Sequence, residues 1–160
     1  MRSNLNTLQQ HISALCMLLA LMFVPKLAQA TDYYLVGDFN KWTTSDTYKF
    51  SVSGTTATLS LTGAQINATS TPFLIKAVES SSNSWYLKNN SATTVTVGGN
   101  AVNASSAYNE YQNCDYTVSG LSTSSSTTYT FKLTANNSDI NDSKLTITSN
   151  TTGGGLLYSN

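Results

Sequence analysis

Eight carboxylates, six lysines and one cysteine are the reactive side chains left to this chain once its first thirty residues are set aside. Glu79 and Glu110 are its only glutamates, and a pair of carboxyl groups across a cleft is what glycoside hydrolysis would need. Asp32, Asp38, Asp46, Asp139 and Asp142 instead lie in or beside turn-forming residues, where Asp is common because its carboxylate bonds to nearby backbone. No histidine remains to move the proton of a serine or cysteine nucleophile. One cysteine without histidine cannot build a zinc site, and there is no arginine to clamp a phosphate or carboxylate. Asp139-Ile140-Asn141-Asp142 offers clustered oxygens, but it lacks the spacing and closing glutamate of an EF-hand loop and reads as a turn. These residues predict a protein that is not an enzyme and carries no cofactor and no metal.

The first thirty residues read as an export signal. Arg2 and His11 precede an apolar run from Ile12 to Val24, and Ala28-Gln29-Ala30 places small residues at the processing site. Residues 1–30 are therefore expected to be a signal peptide, cleaved before Thr31, with the protein extracellular, on the cell surface or in the periplasm. The apolar run is short for a permanent membrane span, and no later run approaches that length. The expected mature chain has six lysines against eight carboxylates, a balance of −2, which predicts no nucleic-acid partner. Cys114 is then alone, either as a small buried hydrophobe or as a site of intermolecular pairing. Ser, Thr and Asn supply 58 of residues 31–160. Their interleaving with β-branched and aromatic residues points to the wet faces and turns of a sheet protein rather than to disorder.

The elements that must position any site are written in period two. Tyr33 to Val36, Tyr48 to Val52 and Ala57 to Leu61 alternate as strands, the last two joined as a hairpin through Ser53-Gly54-Thr55. Pro72 opens the most apolar strand, Phe73 to Val78, and Trp85-Tyr86-Leu87 begins its return. Thr93–Val97, Tyr116–Val118, Tyr129–Leu133 and Leu145–Ile147 complete the set, the last two joined by a turn at Asn136-Asn137. Residues 100–112 read as a long loop, and no amphipathic helix is expected. Eight or nine short strands with regular turns predict an all-β fold, an antiparallel immunoglobulin-like β-sandwich over residues 31–149, with a closed barrel as the alternative. Residues 150–160, with Gly153-Gly154-Gly155, read as a flexible tail.

One segment stands apart: Leu35-Val-Gly-Asp-Phe-Asn-Lys-Trp42. A strand ends at glycine, the chain turns through Asp38 and Asn40, and a tryptophan follows among Thr43, Thr44 and Ser45. An indole offers a broad, rigid surface that stacks on the C–H face of a sugar ring. Trp42 and Trp85 are the only tryptophans, and two such rings some distance apart would support successive sugars. The other reading of Trp85 is a core residue at a strand start, and of Trp42, less readily, the same. Phe39 is the better core candidate of the segment, with Asn40 shaping its turn.

The segment resembles the Gly-x-Phe-Asn-x-Trp motif of glycogen- and starch-binding modules related to the N-terminal domains of branching enzymes and isoamylases, and to that of the AMP-activated kinase β subunit. The strand opening and Thr/Ser-rich finish are also similar to starch-binding outer-membrane proteins of Bacteroidetes glycan-uptake systems. Lys76 and Trp85 match the family's strand-end lysine and second tryptophan in order, across a longer turn, and Asn113 matches its later asparagine. The resemblance implies ligand binding by Trp42, Trp85, Lys76, Asn40 and Asn113, with Lys76 and the asparagines meeting sugar hydroxyls. The implied partner is a polysaccharide, an α-glucan first, with other cell-surface glycan-uptake proteins as possible companions. From the residues alone Lys76 reads equally as a snorkelling lysine at a strand edge. The alternative function is a structural or adhesive surface sandwich that binds no glycan.

Overall fold

A computed structural model describes residues 30–89, 91–107 and 115–152. The residues ahead of Ala30, including most of the expected signal peptide, Asn113, Cys114, Glu110 and the segment after Thr152 lie outside the described residues. Among the described residues ten strands run β1 Asp32–Gly37, β2 Ser51–Ser53, β3 Thr56–Thr62, β4 Ser70–Ser80, β5 Asn83–Lys88, β6 Thr93–Thr96, β7 Val102–Ala107, β8 Tyr116–Ser119, β9 Thr127–Asn136 and β10 Asp139–Thr151. The fold is all-β, as the alternation predicts. Every pairing is antiparallel except that of β6 with β8.

One layer is β2-β3-β9-β10. Its inward rows are Leu59–Phe131–Ile147 and Ala57–Leu133–Leu145, set by register, and all six side chains are buried. In the facing layer the long β4 holds β1 along one edge and both β5 and β8 along the other. Leu35, Phe73, Ile75, Ala77, Trp85, Leu87 and Tyr116 bring that layer's inner face to the same core. The Phe73 ring stacks on Tyr116 at 5.2 Å and meets Phe131 of the opposite layer edge-on at 5.8 Å, so one phenylalanine ties the layers together.

The layers join along one side through β7, which pairs with both β10 and β5. On the other side they are linked by a single bridge, Tyr34 to Lys49, and the bond from Phe50 N to Tyr33 O. Past Phe50 the chain leaves β1 and pairs with β3 instead.

Five local expectations are corrected. Residues 102–107, read as loop, form β7: Val-Asn-Ala-Ser-Ser-Ala has no strong period, and the neighbouring edges of β5 and β10 supply the ordering. Residues 46–48 form a 3-10 turn, so β2 starts only at Ser51. Gly63–Ile66 makes one α-helical turn, α1, closed by a capping box in which Thr62 Oγ1 accepts from Gln65 N and Gln65 Oε1 accepts from Thr62 N. β10 continues through Asn150 and Thr151, paired with Thr128 and Thr127, where a tail was expected. The β9–β10 turn lies one residue later than the sequence suggests. Asn137 and Ser138 both have positive φ, as a tight two-residue hairpin requires.

Candidate functional site

The turn after β1 begins where Gly37 passes against β4. A Cβ on Gly37 would lie 2.5 Å from the Pro72 carbonyl oxygen and 2.6 Å from the Phe39 ring, so only glycine permits this approach. Residues 38–40 then form a 3-10 turn. Asn40 organises it: its Oδ1 accepts from Gly37 N at 2.9 Å, and its Nδ2 donates to Leu35 O at 2.9 Å and Thr43 O at 3.0 Å. Both amide donors of Asn40 are thus committed to the backbone, and its part here is to shape the turn.

Trp42 N donates to Gly37 O at 2.9 Å and Lys41 N to Asp38 O at 3.3 Å, the paired bonds of a Schellman closure. Such a closure needs one left-handed residue, usually glycine. Here Lys41 has φ 54° and Trp42 has φ 59°, a conformation that bulky side chains rarely hold. The Trp42 indole is half-buried, and its Nε1 donates to Asp38 Oδ1 at 2.8 Å. Two successive left-handed residues and a charge-assisted bond therefore fix this ring at the surface.

Trp85 is placed differently. It is 8 % exposed and belongs to the core, with Nε1 donating to Asn141 Oδ1 at 2.9 Å. Ala77, its cross-strand partner, is fully buried, so Trp85 points inward and its faces are not open to a sugar. The expectation that Trp85 offers an open ring face is corrected: it is a core residue.

Lys76 lies on the outer face of β4. Register sets Tyr34 of β1 on one side of it and Tyr86 of β5 on the other, and Lys76 Nζ lies 5.9 Å from the Tyr86 ring centroid. Tyr34 in turn receives Lys49, 5.8 Å from its centroid, and Lys49 pairs with Asp32 at 2.8 Å. Tyr34 and Tyr86 were not expected from the sequence. Their signal is the alternation with buried neighbours on β1 and β5, which gives the face but not the register. Val36 and Leu74, cross-strand partners on this same face, are buried although they lie outside the main core.

Burial pushes the Asp115 carboxyl above its ordinary value. The Lys88 ammonium opposes that shift and the Asp38 carboxylate adds to it. Asp38 thus both anchors Trp42 and lies within the electrostatic range of the acid that opens β8. Glu79 accepts a hydrogen bond from Asn83 across its hairpin. Among the described residues no group of three or more His, Cys, Asp or Glu could hold a metal ion. The oxygens of Asp139, Asn141 and Asp142 accept from Asn141 N, Trp85 Nε1, and Asn136 Nδ2 together with Ser105 Oγ. That cluster belongs to the fold.

No family model matches the chain, and no curated protein or solved structure gives a significant match. No helix among the described residues is long and apolar enough to cross a membrane.

Proposed function

We propose that this chain is an exported, non-catalytic carbohydrate-binding module whose contact surface is the Trp42 turn, with an α-glucan as the first candidate ligand. One observation carries the reading: a tryptophan held in a left-handed conformation at the surface, its ring fixed by Asp38. Backbone of this kind costs stability of order 1–3 kcal/mol and persists where surrounding structure enforces it, most often at binding sites. A ring fixed in advance loses little entropy when a sugar stacks on it. Lys76, with Tyr34 and Tyr86 beside it, offers ammonium donors and aromatic surface on the neighbouring sheet face. Trp85 takes no part, Asn40 acts through the turn, and Asn113 enters only by the family resemblance. One shallow platform implies modest affinity, on the order of 10 μM to millimolar. Its partners on the cell surface would be the polysaccharide itself and other proteins of glycan uptake.

Affinity electrophoresis through gels containing soluble starch, glycogen or a β-glucan tests this reading. The parent chain is expected to be retarded by the α-glucans, and Trp42→Ala to migrate as it does in a plain gel. Equal retardation of parent and Trp42→Ala, or none for the parent in any gel, overturns it.

A further inference from the structure

The side of the sandwich that the Tyr34–Lys49 bridge and the Phe50–Tyr33 bond close among the described residues contains a cleft of about 490 Å³. Phe50, Ile140 and Tyr33, all buried, make its floor, and Val52 forms one wall. Val52 pairs with Ala57, which pairs with Leu133, so its side chain lies on the core face of the layer. Yet Val52 is 47 % exposed, the one large hydrophobic residue so exposed among the described residues. The core reaches solvent here because the chain leaves β1 after Phe50 and no strand replaces it. Among the described residues no strand pairs with the second edge of β2. An open ladder edge beside an apolar wall is the combination that an added strand satisfies.

The expected mature chain carries a segment suited to that place. Leu156-Leu157-Tyr158 is its one run of consecutive apolar residues outside the described ones, and it follows Gly153-Gly154-Gly155 directly. In an extended segment Leu156 and Tyr158 share one face, as filling a cleft beside Val52 requires. Reach decides which molecule's cleft can be filled. Pairing of Val52 with Ala57, of Ala57 with Leu133 and of Leu133 with Leu145 sets the β2 edge level with Leu145, about 20 Å of strand back from Thr151. A strand added to β2 stands four strand spacings, about 19 Å, to the side of β10, so about 28 Å separates it from Thr151, whereas the seven residues from Thr152 to Tyr158 span at most about 25 Å. A molecule cannot fill its own cleft. We propose that residues 156–158 of a second copy add to β2 in this cleft, so that copies join head to tail. The contact is heterologous and forms open chains rather than closed dimers. It is independent of the glycan reading and leaves the Trp42 turn uncovered.

Sedimentation velocity over a concentration series tests the proposal with three chains: residues 31–160, residues 31–152, and residues 31–160 carrying Val52→Glu. The parent is expected to form species larger than a dimer as concentration rises. The shorter chain and the Val52→Glu chain are expected to stay monomeric, with unchanged circular dichroism showing that they fold. A peptide of residues 153–160 should bind the shorter chain and bind its Val52→Glu form at least about tenfold more weakly, a loss of about 1.4 kcal/mol. A monomeric parent at every concentration, a parent that stops at a dimer, or assembly of the shorter chain equal to the parent's overturns the proposal. So does peptide binding indifferent to Val52→Glu.

Discussion

The indole nitrogen of Trp85 donates to Asn141 Oδ1 at 2.9 Å, joining β5 to the start of β10 across 56 positions of sequence. The Tyr33 hydroxyl reaches the same oxygen at 3.3 Å. One side-chain amide thus receives two polar groups carried by buried aromatic residues of the opposite layer. Asn141→Ala removes that acceptor and is expected to cost about 1–3 kcal/mol. Urea unfolding would show this as a lower midpoint with the slope unchanged, while retardation by starch stays at the parent value.

The two tryptophans should separate cleanly in a pair of variants. Trp85→Ala empties a buried site and is expected to lose about 3–5 kcal/mol. Trp42→Ala removes a half-buried ring from a turn and should change stability by under about 1 kcal/mol. Thermal unfolding of both, beside their migration in glucan gels, would show stability lost in one and binding lost in the other.

The turn can be relaxed or broken at single positions. Lys41 holds a left-handed conformation that glycine adopts without strain, so Lys41→Gly is expected to raise stability by up to about 1 kcal/mol. Gly37→Ala acts in the opposite direction. Its methyl group would meet the Pro72 carbonyl oxygen at 2.5 Å, and the expected loss is about 1–3 kcal/mol, with glucan retardation reduced as the turn shifts. Denaturant midpoints of the two variants should move to opposite sides of the parent.

Alkaline pH should weaken the fold through Tyr33. Burial first, and then the Asp139 carboxylate, raise its phenol above the ordinary value. Above about pH 10 the unfolded chain releases this proton while the folded chain keeps it, so the folded state binds more protons and stability falls as pH rises. The hydrogen bond to Asp32 likewise raises Lys49, whose contribution is complete below its unfolded value and is lost above it. Tyr33→Phe is expected to flatten the fall in the unfolding midpoint above about pH 10, read against the variant's own value at pH 8.

Much of the fold was legible because strand alternation is a local property. Tyr129-Thr-Phe131-Lys-Leu133 and Ala57-Thr-Leu59-Ser-Leu61 each show which residues share a face, and burial divides them that way. Strand β7 was illegible because Val-Asn-Ala-Ser-Ser-Ala has no strong apolar period, and two partners distant in sequence impose its conformation. The α1 turn did carry a signal, the Thr62-x-x-Gln65 capping pattern, in a stretch too short for any helical period.

By itself the sequence determined the all-β class, the absence of imidazole and guanidinium chemistry from residues 31–160, and the turn that ends in Trp42. The tertiary structure decided which aromatic residues face outward. Alternation assigns Trp85 and Tyr86 to opposite faces, but a slip of one residue in pairing exchanges them. The pairings of Ala77 with Trp85 and of Lys76 with Tyr86 place the tryptophan inside and the tyrosine beside Lys76. The opening beside Val52 also belongs to the tertiary structure alone, since it arises where the chain leaves β1 for β3.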